Sequence, residues 1–291
     1  MRTIRKIKQF KSVRHKLIIF IPIILLCVIA ICIGIYAQFF YKYAETDKFI
    51  IGNVDKEGYK REEIYEELKN NFNDIFTSTV TEVKPIEGQP VKIDEGKELV
   101  YTANEIKQEE EGKYDIDVNF PVMNIKSQTV DGINKELQEI FLKKVQSILE
   151  QKQSTNAIYT IKYAAYINGD VISLIIEANL KESTAVQRQI VKTYNYSISQ
   201  DKVMTVYDAI SGKGLNATEV QNKINKEIKI KSDQVQELKK IGYNVFERNP
   251  EDSMYQLDQT DNFFIGQDGY LYILYPYGNK NFTSELDIII F

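Results

Sequence analysis

The feature that most constrains this chain is an uncharged apolar segment close to its N-terminus. Residues 17–37 read LIIFIPIILLCVIAICIGIYA, which is 21 residues without a charged side chain. About 20 apolar residues cross a bilayer as a helix, whereas the apolar region of a cleaved signal peptide is usually about 7–15 residues long. We therefore expect residues 17–37 to form a single, uncleaved transmembrane helix, which makes the membrane the first partner of this chain.

Charge is distributed unequally on the two sides of that segment. Residues 1–16 contain seven Lys and Arg side chains and no acidic one, which predicts a cytoplasmic N-terminus by the positive-inside rule. All 41 acidic residues follow the segment together with the other 30 basic residues, so the C-terminal part carries a formal charge of −11. We expect that part to be extracellular, and its acidity argues against nucleic acid as a partner.

The residue types needed for several kinds of catalysis are missing from the predicted extracellular part. His15 lies in the cytoplasmic tail, and the two cysteines, Cys27 and Cys32, lie in the apolar segment. A His-dependent triad, a His-bearing zinc site and a thiol nucleophile are therefore excluded after residue 37. We predict no metal, no cofactor and no enzymatic activity. A carboxylate-based cell-wall hydrolase remains an alternative, because two acidic side chains suffice to hydrolyse a glycoside.

Hydrophobic periodicity predicts an α+β fold after the apolar segment. The juxtamembrane linker, residues 38–97, contains helical spacing over 61–76, and a longer helical stripe covers 128–152. Strand patterns cover 114–122, 157–167, 170–180, 188–199, 202–207, 262–265, 270–276 and 284–291. Helices interspersed with hairpins predict an extracellular domain of mainly antiparallel sheet packed with two or three helices, and not a doubly wound fold.

Local sequence patterns predict two turns and the N-terminus of one helix. Asn168-Gly169 predicts a tight hairpin turn because both residues tolerate a positive φ, and Asp268-Gly269 predicts a second turn. Thr218 followed by Gln221 fits a capping box, which predicts a helix that begins directly after the threonine.

Three short patterns resemble binding or catalytic motifs, and a structural interpretation is favoured for each. Residues 212–217 match G-x-G-x-x-A of dinucleotide folds, but hairpins surround them instead of parallel βαβ units. Residues 115–119 match the start of a calcium loop, but Phe120 occupies the glycine position. Residues 199–202 match S-x-x-K of penicillin-binding enzymes without their further motifs. We predict a turn before a helix, the solvent face of a strand, and a hairpin turn.

Four tyrosines crowd the predicted C-terminal hairpin. They are Tyr270, Tyr272, Tyr275 and Tyr277. Tyrosine rings can form a flat platform for a sugar or a peptide, because they bury much area at low entropic cost. The favoured alternative is a core strand whose hydroxyl groups are hydrogen-bonded internally. The four residues are the candidate ligand surface that the sequence offers.

Four stretches resemble a pair of domains found in Gram-positive envelope proteins. They are Tyr114 to Asn124, Val130 to Phe141, Thr193 to Ile210 and Phe263 to Tyr277. Through them, residues 98–210 are similar to the DUF4163 domain, also called the deacetylase PdaC type. Residues 211–291 are similar to the DUF3298 domain, and the two domains are expected to form one compact unit. The loops 182–189 and 278–283 depart from the family pattern.

The resemblance implies a role at the bacterial cell envelope. In the family, such domains precede a polysaccharide deacetylase or form the outer part of a lysozyme-sensing anti-sigma factor. The 16-residue tail is too short for a folded sigma-binding domain, and His ligands for a deacetylase metal are missing after residue 37. We therefore expect a membrane-anchored, non-catalytic module that binds or senses a cell-wall component, a peptide or a secreted protein. A transmembrane signalling regulator is the alternative.

Overall fold

The computed structural model describes residues 56–86, 88, 90–150, 156–278 and 284–291, with side chains from residue 61 onwards. The predicted cytoplasmic tail, 1–16, and the predicted transmembrane segment, 17–37, lie outside these residues. In the part of the chain that is described, no helix combines the length and the apolar character needed to cross a bilayer. The chain divides into two units, Met1–Leu68 and Lys69–Phe291, with the boundary inside helix α1 (Lys56–Asn70).

Among the described residues, a seven-stranded sheet forms the centre of the second unit. Its strands are β1 (Thr79–Lys84), β2 (Val100–Glu110), β3 (Tyr114–Met123), β4 (Ala157–Asn168), β5 (Val171–Lys181), β6 (Arg188–Ser197) and β7 (Lys202–Val203). β2 to β7 lie side by side in chain order, and only β3 and β4 pair in parallel among them. The long β4 has a second parallel neighbour, because β3 pairs with its first half and β1 with its second half. The fold is a mixed α+β fold.

A helical segment covers one face of this sheet. Helix α2 (Gln128–Leu137) continues through a π-helical turn (Gln138–Leu142) into helix α3 (Lys143–Leu149). The Ser127 hydroxyl caps the start of α2 by accepting two backbone N–H groups. The buried stripe consists of Val130, Ile133, Leu137, Phe141, Val145 and Ile148. Ile140 shares the apolar pattern but is exposed, because the buried positions advance by four residues across the π-helical turn.

The opposite face of the large sheet carries a small antiparallel sheet. Its strands are β8 (Phe263–Ile265), β9 (Leu271–Pro276) and β10 (Leu286–Ile290). Asn195 donates from Nδ2 to the carbonyl of Phe263 at 2.6 Å, and the Ser173 hydroxyl accepts the N–H of Ile265 at 3.2 Å. These buried contacts fix β8 against β5 and β6. A second apolar core joins the small sheet to helices α4 (Val206–Gly212) and α5 (Ala217–Lys240).

The predicted strand over 202–207 is wrong in its second half. β7 ends at Val203, and helix α4 begins after Thr205. The Thr205 hydroxyl accepts the N–H of Asp208 at 3.2 Å, and the Asp208 carboxylate accepts the N–H of Thr205 at 2.8 Å. This reciprocal pair is a complete capping box, with aspartate in place of the usual glutamate or glutamine, and it favours a helix where strand propensity alone predicted a strand.

Two further local predictions name the right kind of element at the wrong position in the chain. Helix α5 begins after Asn216, whose side chain caps it, so the predicted capping box at Thr218 is wrong by two residues. The hairpin between β4 and β5 has Gly169 and Asp170 as its central residues, since Asn168 already pairs with Val171. Gly169 supplies the positive φ, 60°, that a type II′ turn needs at its first central position.

Candidate functional site

The four C-terminal tyrosines do not form a common surface in the structure. Tyr275 and Tyr277 are buried in the core beneath helix α5, and Tyr272 faces the opposite side of β9. Tyr270 is half-buried in the turn before β9. The Tyr277 hydroxyl donates to the carboxylate of Asp287 at 2.8 Å. Tyr272, Tyr275 and Tyr277 are therefore buried as expected for a core strand, but only Tyr272 and Tyr277 also have internally hydrogen-bonded hydroxyl groups.

The motif-like patterns are structural elements. Ser199 donates its hydroxyl to Asp170 at 2.9 Å, whereas Lys202 pairs with a different carboxylate, so the S-x-x-K pair is not assembled. Residues 115–119 lie on strand β3. Residues 212–217 connect α4 to α5, where Gly214 has a φ of 67° and ends α4 in a Schellman motif. Across the described ranges, no group of three or more His, Cys, Asp or Glu side chains could hold a metal ion.

A buried ionic cluster fastens the loop after α5 to strand β10. Arg248 donates from Nε to Oδ2 of Asp287 at 2.7 Å, from Nη2 to Oδ1 at 3.1 Å, and from Nη1 to Glu285 at 2.7 Å. The Tyr277 hydroxyl donates to the same aspartate and shares a 2.9 Å hydrogen bond with the Tyr255 hydroxyl. We call these five residues the Arg248 cluster.

The charged and polar groups of the Arg248 cluster all have partners within the protein. Burial lowers the pKa of the guanidinium, but the hydrogen bonds to Asp287 and Glu285 outweigh burial and hold that pKa above its usual range. Burial also raises the pKa of Tyr277, and the charge of Asp287 raises it further. Each of these side chains has its polar atoms paired with another member or with the backbone, so the cluster has no group left to offer to a ligand.

A groove of about 500 Å³ lies where α2, β6, the β7–α4 turn and the loop before β8 meet. Its volume falls within the roughly 300–1,000 Å³ typical of small-molecule sites. The charged and aromatic side chains that line it are Glu136, Lys192, Tyr194, Tyr207, Asp258, Asp261 and Phe263. Val203 and Tyr207 expose 47% and 48% of their surface there, so one wall is apolar and accessible.

Tyr194 has an uncommon environment within this groove. Only 5% of the residue is exposed, and its hydroxyl oxygen is shielded from solvent without a hydrogen-bond partner among the described residues. Leaving a buried hydroxyl without a partner costs roughly 1–3 kcal/mol. Burial raises the pKa of this phenol, and the charge of Glu136 and a long hydrogen-bonding contact with its carboxylate raise it further. The hydroxyl therefore stays protonated at neutral pH and can both donate and accept.

A loose ion pair lies beside Tyr194. The Lys192 ammonium is 3.9 Å from the Glu136 carboxylate and 5.7 Å from the centroid of the Tyr194 ring. Half of the Glu136 side chain is exposed, and pairs of this kind contribute only about 0–1 kcal/mol. The pair can therefore rearrange at low cost and admit a ligand group to the Tyr194 hydroxyl.

Tyr275 offers a natural comparison for Tyr194. Its hydroxyl is the other buried side-chain oxygen that lacks a partner within the described residues. Tyr275, however, packs edge-on against the ring of Tyr255 at 5.0 Å and does not itself line the groove, and its hydroxyl approaches Thr260 from the core side of the groove lining. A missing partner alone therefore does not define a site, and the combination with an accessible groove is what sets Tyr194 apart.

Sequence reasoning missed this groove because its residues come from separate elements. The available signal was the alternation along β6, which places Tyr194 and Tyr196 on one face of the sheet. Alternation does not tell which hydroxyl finds a partner. In the structure, Tyr196 donates to Asp201 at 2.9 Å, whereas the Tyr194 hydroxyl has no acceptor within hydrogen-bond distance among the described residues and interacts with the Glu136 carboxylate only through a longer contact.

Comparison with known proteins gives limited similarity. No protein-family model matches the chain, and a search of curated proteins finds no match. A DUF3298 family protein from Pseudomonas aeruginosa PAO1 is similar, with 12% identity, a TM-score of 0.38, and coverage of 71% of this chain and 90% of that one. A DUF3298 family member from Bacteroides fragilis NCTC 9343 has 11% identity, a TM-score of 0.32, and coverage of 61% and 81%. Both carry the family name predicted for residues 211–291.

Proposed function

We propose that the chain after residue 37 is a non-catalytic binding module of the cell envelope and that the groove around Tyr194 is its ligand site. The observation that carries the proposal is the unpartnered Tyr194 hydroxyl in the lining of an accessible groove. Ligand pockets typically combine apolar walls with a few polar groups that fix orientation. Here Tyr207 contributes the apolar wall and Tyr194 contributes the polar group.

The energetic argument concerns what the Tyr194 hydroxyl does for the free protein. A phenylalanine would fill the same space between α2 and the sheet, and it would avoid the cost of an unpaired buried hydroxyl. That cost is recovered only when a partner arrives, and a ligand in the groove supplies such a partner. The Tyr194 hydroxyl is therefore favourable when a ligand is bound and unfavourable for folding of the free protein.

The location of the module belongs to the same proposal. An extracellular position is supported by the uncharged segment 17–37 and by the seven basic residues before it. The resemblance to DUF4163 that we infer from the sequence for residues 98–210, and to the ectodomain of a lysozyme-sensing anti-sigma factor for the part after residue 37, agrees with the same setting. Protease added to intact cells should degrade the C-terminal part and spare an epitope placed in residues 1–16. Protection of the C-terminal part would contradict this topology.

The binding test compares two variants that each remove one unpartnered hydroxyl. Full-length protein in detergent is mixed with soluble peptidoglycan fragments or with secreted proteins, and backbone hydrogen exchange is followed at 203–207 and 257–261. We expect an added ligand to slow exchange in both segments of the wild type and of Tyr275→Phe. Tyr194→Phe should lose most of this protection, since only Tyr194 lines the groove.

Two results would contradict the proposal. An equal response in Tyr194→Phe and wild type would show that the groove hydroxyl is not used by the ligand, as expected if water alone satisfies it. Unchanged exchange in both segments with every fragment and protein would show that the groove is not the binding site.

A further inference from the structure

We infer that the ligand of the Tyr194 groove is a neutral, hydroxyl-rich molecule, namely a short saccharide. The inference rests on the proposed function, because it specifies the chemistry of the same site. Three properties of the groove carry it: the surplus of hydrogen-bond acceptors, the position of the one lining lysine, and the exposed aromatic wall.

The lining of the groove is acidic. Glu136, Asp258 and Asp261 face a single lysine, Lys192, so the four ionised side chains leave a net negative charge. Within the described residues, the carboxylates of Asp258 and Asp261 have neither an ion pair nor a hydrogen bond. Carboxylates accept hydrogen bonds and donate none. An anionic ligand is therefore disfavoured, and a ligand with many donors is favoured.

The position of Lys192 argues against a cationic ligand at Tyr194. Its ammonium group lies 5.7 Å from the ring centroid of Tyr194 and 3.9 Å from Glu136. A second cation placed against the same phenol would be repelled by this ammonium and would compete with it for the same carboxylate. The ligand group that meets the Tyr194 hydroxyl is therefore an uncharged one, and hydroxyl groups are the uncharged donors that a saccharide presents in numbers.

The apolar wall suits the shape of a sugar ring. Tyr207 lies in the first turn of α4, and nearly half of its surface is exposed beside Val203. A pyranose ring has an apolar C–H face that can pack flat on an aromatic ring, with its hydroxyl groups at the edge. With Tyr207 under that face, the edge hydroxyl groups face a groove whose polar lining includes Tyr194, Asp258 and Asp261.

The test uses probes of one length and different charge. Full-length protein is titrated by calorimetry with chitotetraose, cellotetraose, tetralysine, tetraglutamate and a capped, neutral tetraglycine. We expect at least one of the two saccharides to bind and the three peptides not to bind. Tyr194→Phe should weaken saccharide binding roughly tenfold, which is the loss of about one neutral hydrogen bond.

A matched pair of variants tests the aromatic wall. Tyr207→Ala should weaken saccharide binding, whereas Tyr243→Ala, which removes a 61% exposed tyrosine outside the groove, should leave it unchanged. Binding of a peptide in place of a saccharide, with the same dependence on Tyr194, would overturn the saccharide inference and retain the proposed function. Absence of any Tyr194-dependent binding across the panel would overturn the saccharide inference, whereas the proposed function is decided by the hydrogen-exchange experiment with peptidoglycan fragments and secreted proteins.

Discussion

The Arg248 cluster and the Tyr194 groove use similar side chains in opposite ways. Both place a phenol, a cation and carboxylates where a loop meets a sheet. In the Arg248 cluster, Arg248 is 8% exposed and its guanidinium is bonded to two carboxylates, and the Tyr277 hydroxyl donates to one of them. In the groove, the ion pair is loose and the Tyr194 hydroxyl is unpaired among the described residues. The difference teaches that a structural cluster has a partner for each of its polar groups, whereas a ligand site keeps a polar group without one.

The geometry of the arginine side chain explains why the polar groups of the Arg248 cluster are all paired. The planar guanidinium of Arg248 matches both oxygens of Asp287, and it also lies over the ring of Tyr277 with its central carbon 4.7 Å from the centroid. An ammonium group such as that of Lys192 has no such fixed fork. The cluster can therefore hold one arrangement, whereas the groove can change its contacts when a ligand enters.

We expect the largest change in the free energy of unfolding from a substitution that breaks the Arg248 cluster. Asp287→Asn leaves the buried guanidinium of Arg248 with only Glu285 as a charged partner. Removing one partner of a buried pair costs about 3–5 kcal/mol, because the remaining charge is left uncompensated. Urea denaturation of the full-length protein, followed by tyrosine fluorescence, should show this decrease in the free energy of unfolding.

The control for this prediction is an exposed ion pair near the same loop. Glu247 pairs with Lys239, and 66% of the Glu247 side chain is exposed. Glu247→Gln should change the free energy of unfolding by no more than about 1 kcal/mol. Equal losses in Asp287→Asn and Glu247→Gln would mean that the Arg248 cluster is not the buried anchor that its geometry indicates.

A smaller effect is expected from one hydroxyl of the same cluster. Tyr277→Phe keeps the buried ring and removes the donor to Asp287 and the contact with Tyr255. The partners left behind are buried, so the loss should be about 1–3 kcal/mol. A change in the unfolding midpoint without a change in the denaturant slope would identify it as a loss of native stability. An unchanged midpoint would show that the hydroxyl contributes nothing to the cluster.

Much of the secondary structure could be predicted from the sequence because its signals are local. The stripe of helix α2–α3 and the alternation of β3 to β6 follow directly from which side chains are buried. Strand β2 was missed, since it lies at the edge of the sheet and most of its side chains are exposed, so it carries no apolar alternation. Helix α4 was missed because a capping box at Thr205, and not propensity, decides where it starts.

The candidate site could not be predicted in the same way. The sequence pointed to the tyrosines of β9, whose alternation and density are visible along one strand. The groove instead depends on Tyr194 of β6, Tyr207 of α4 and Asp258 of a distant loop, which come together only in three dimensions. Which hydroxyl is left without a partner is a property of packing, and no sequence pattern encodes it.

The most direct test of the account is the free energy of unfolding of Tyr194→Phe without ligand, measured beside Tyr277→Phe. Removing a buried hydroxyl that has no partner should increase stability by about 1–3 kcal/mol, because that desolvation cost disappears. Tyr277→Phe should lose stability under the same conditions. A loss in Tyr194→Phe equal to that in Tyr277→Phe would show that the Tyr194 hydroxyl serves the fold, and it would contradict the assignment of the groove as a ligand site.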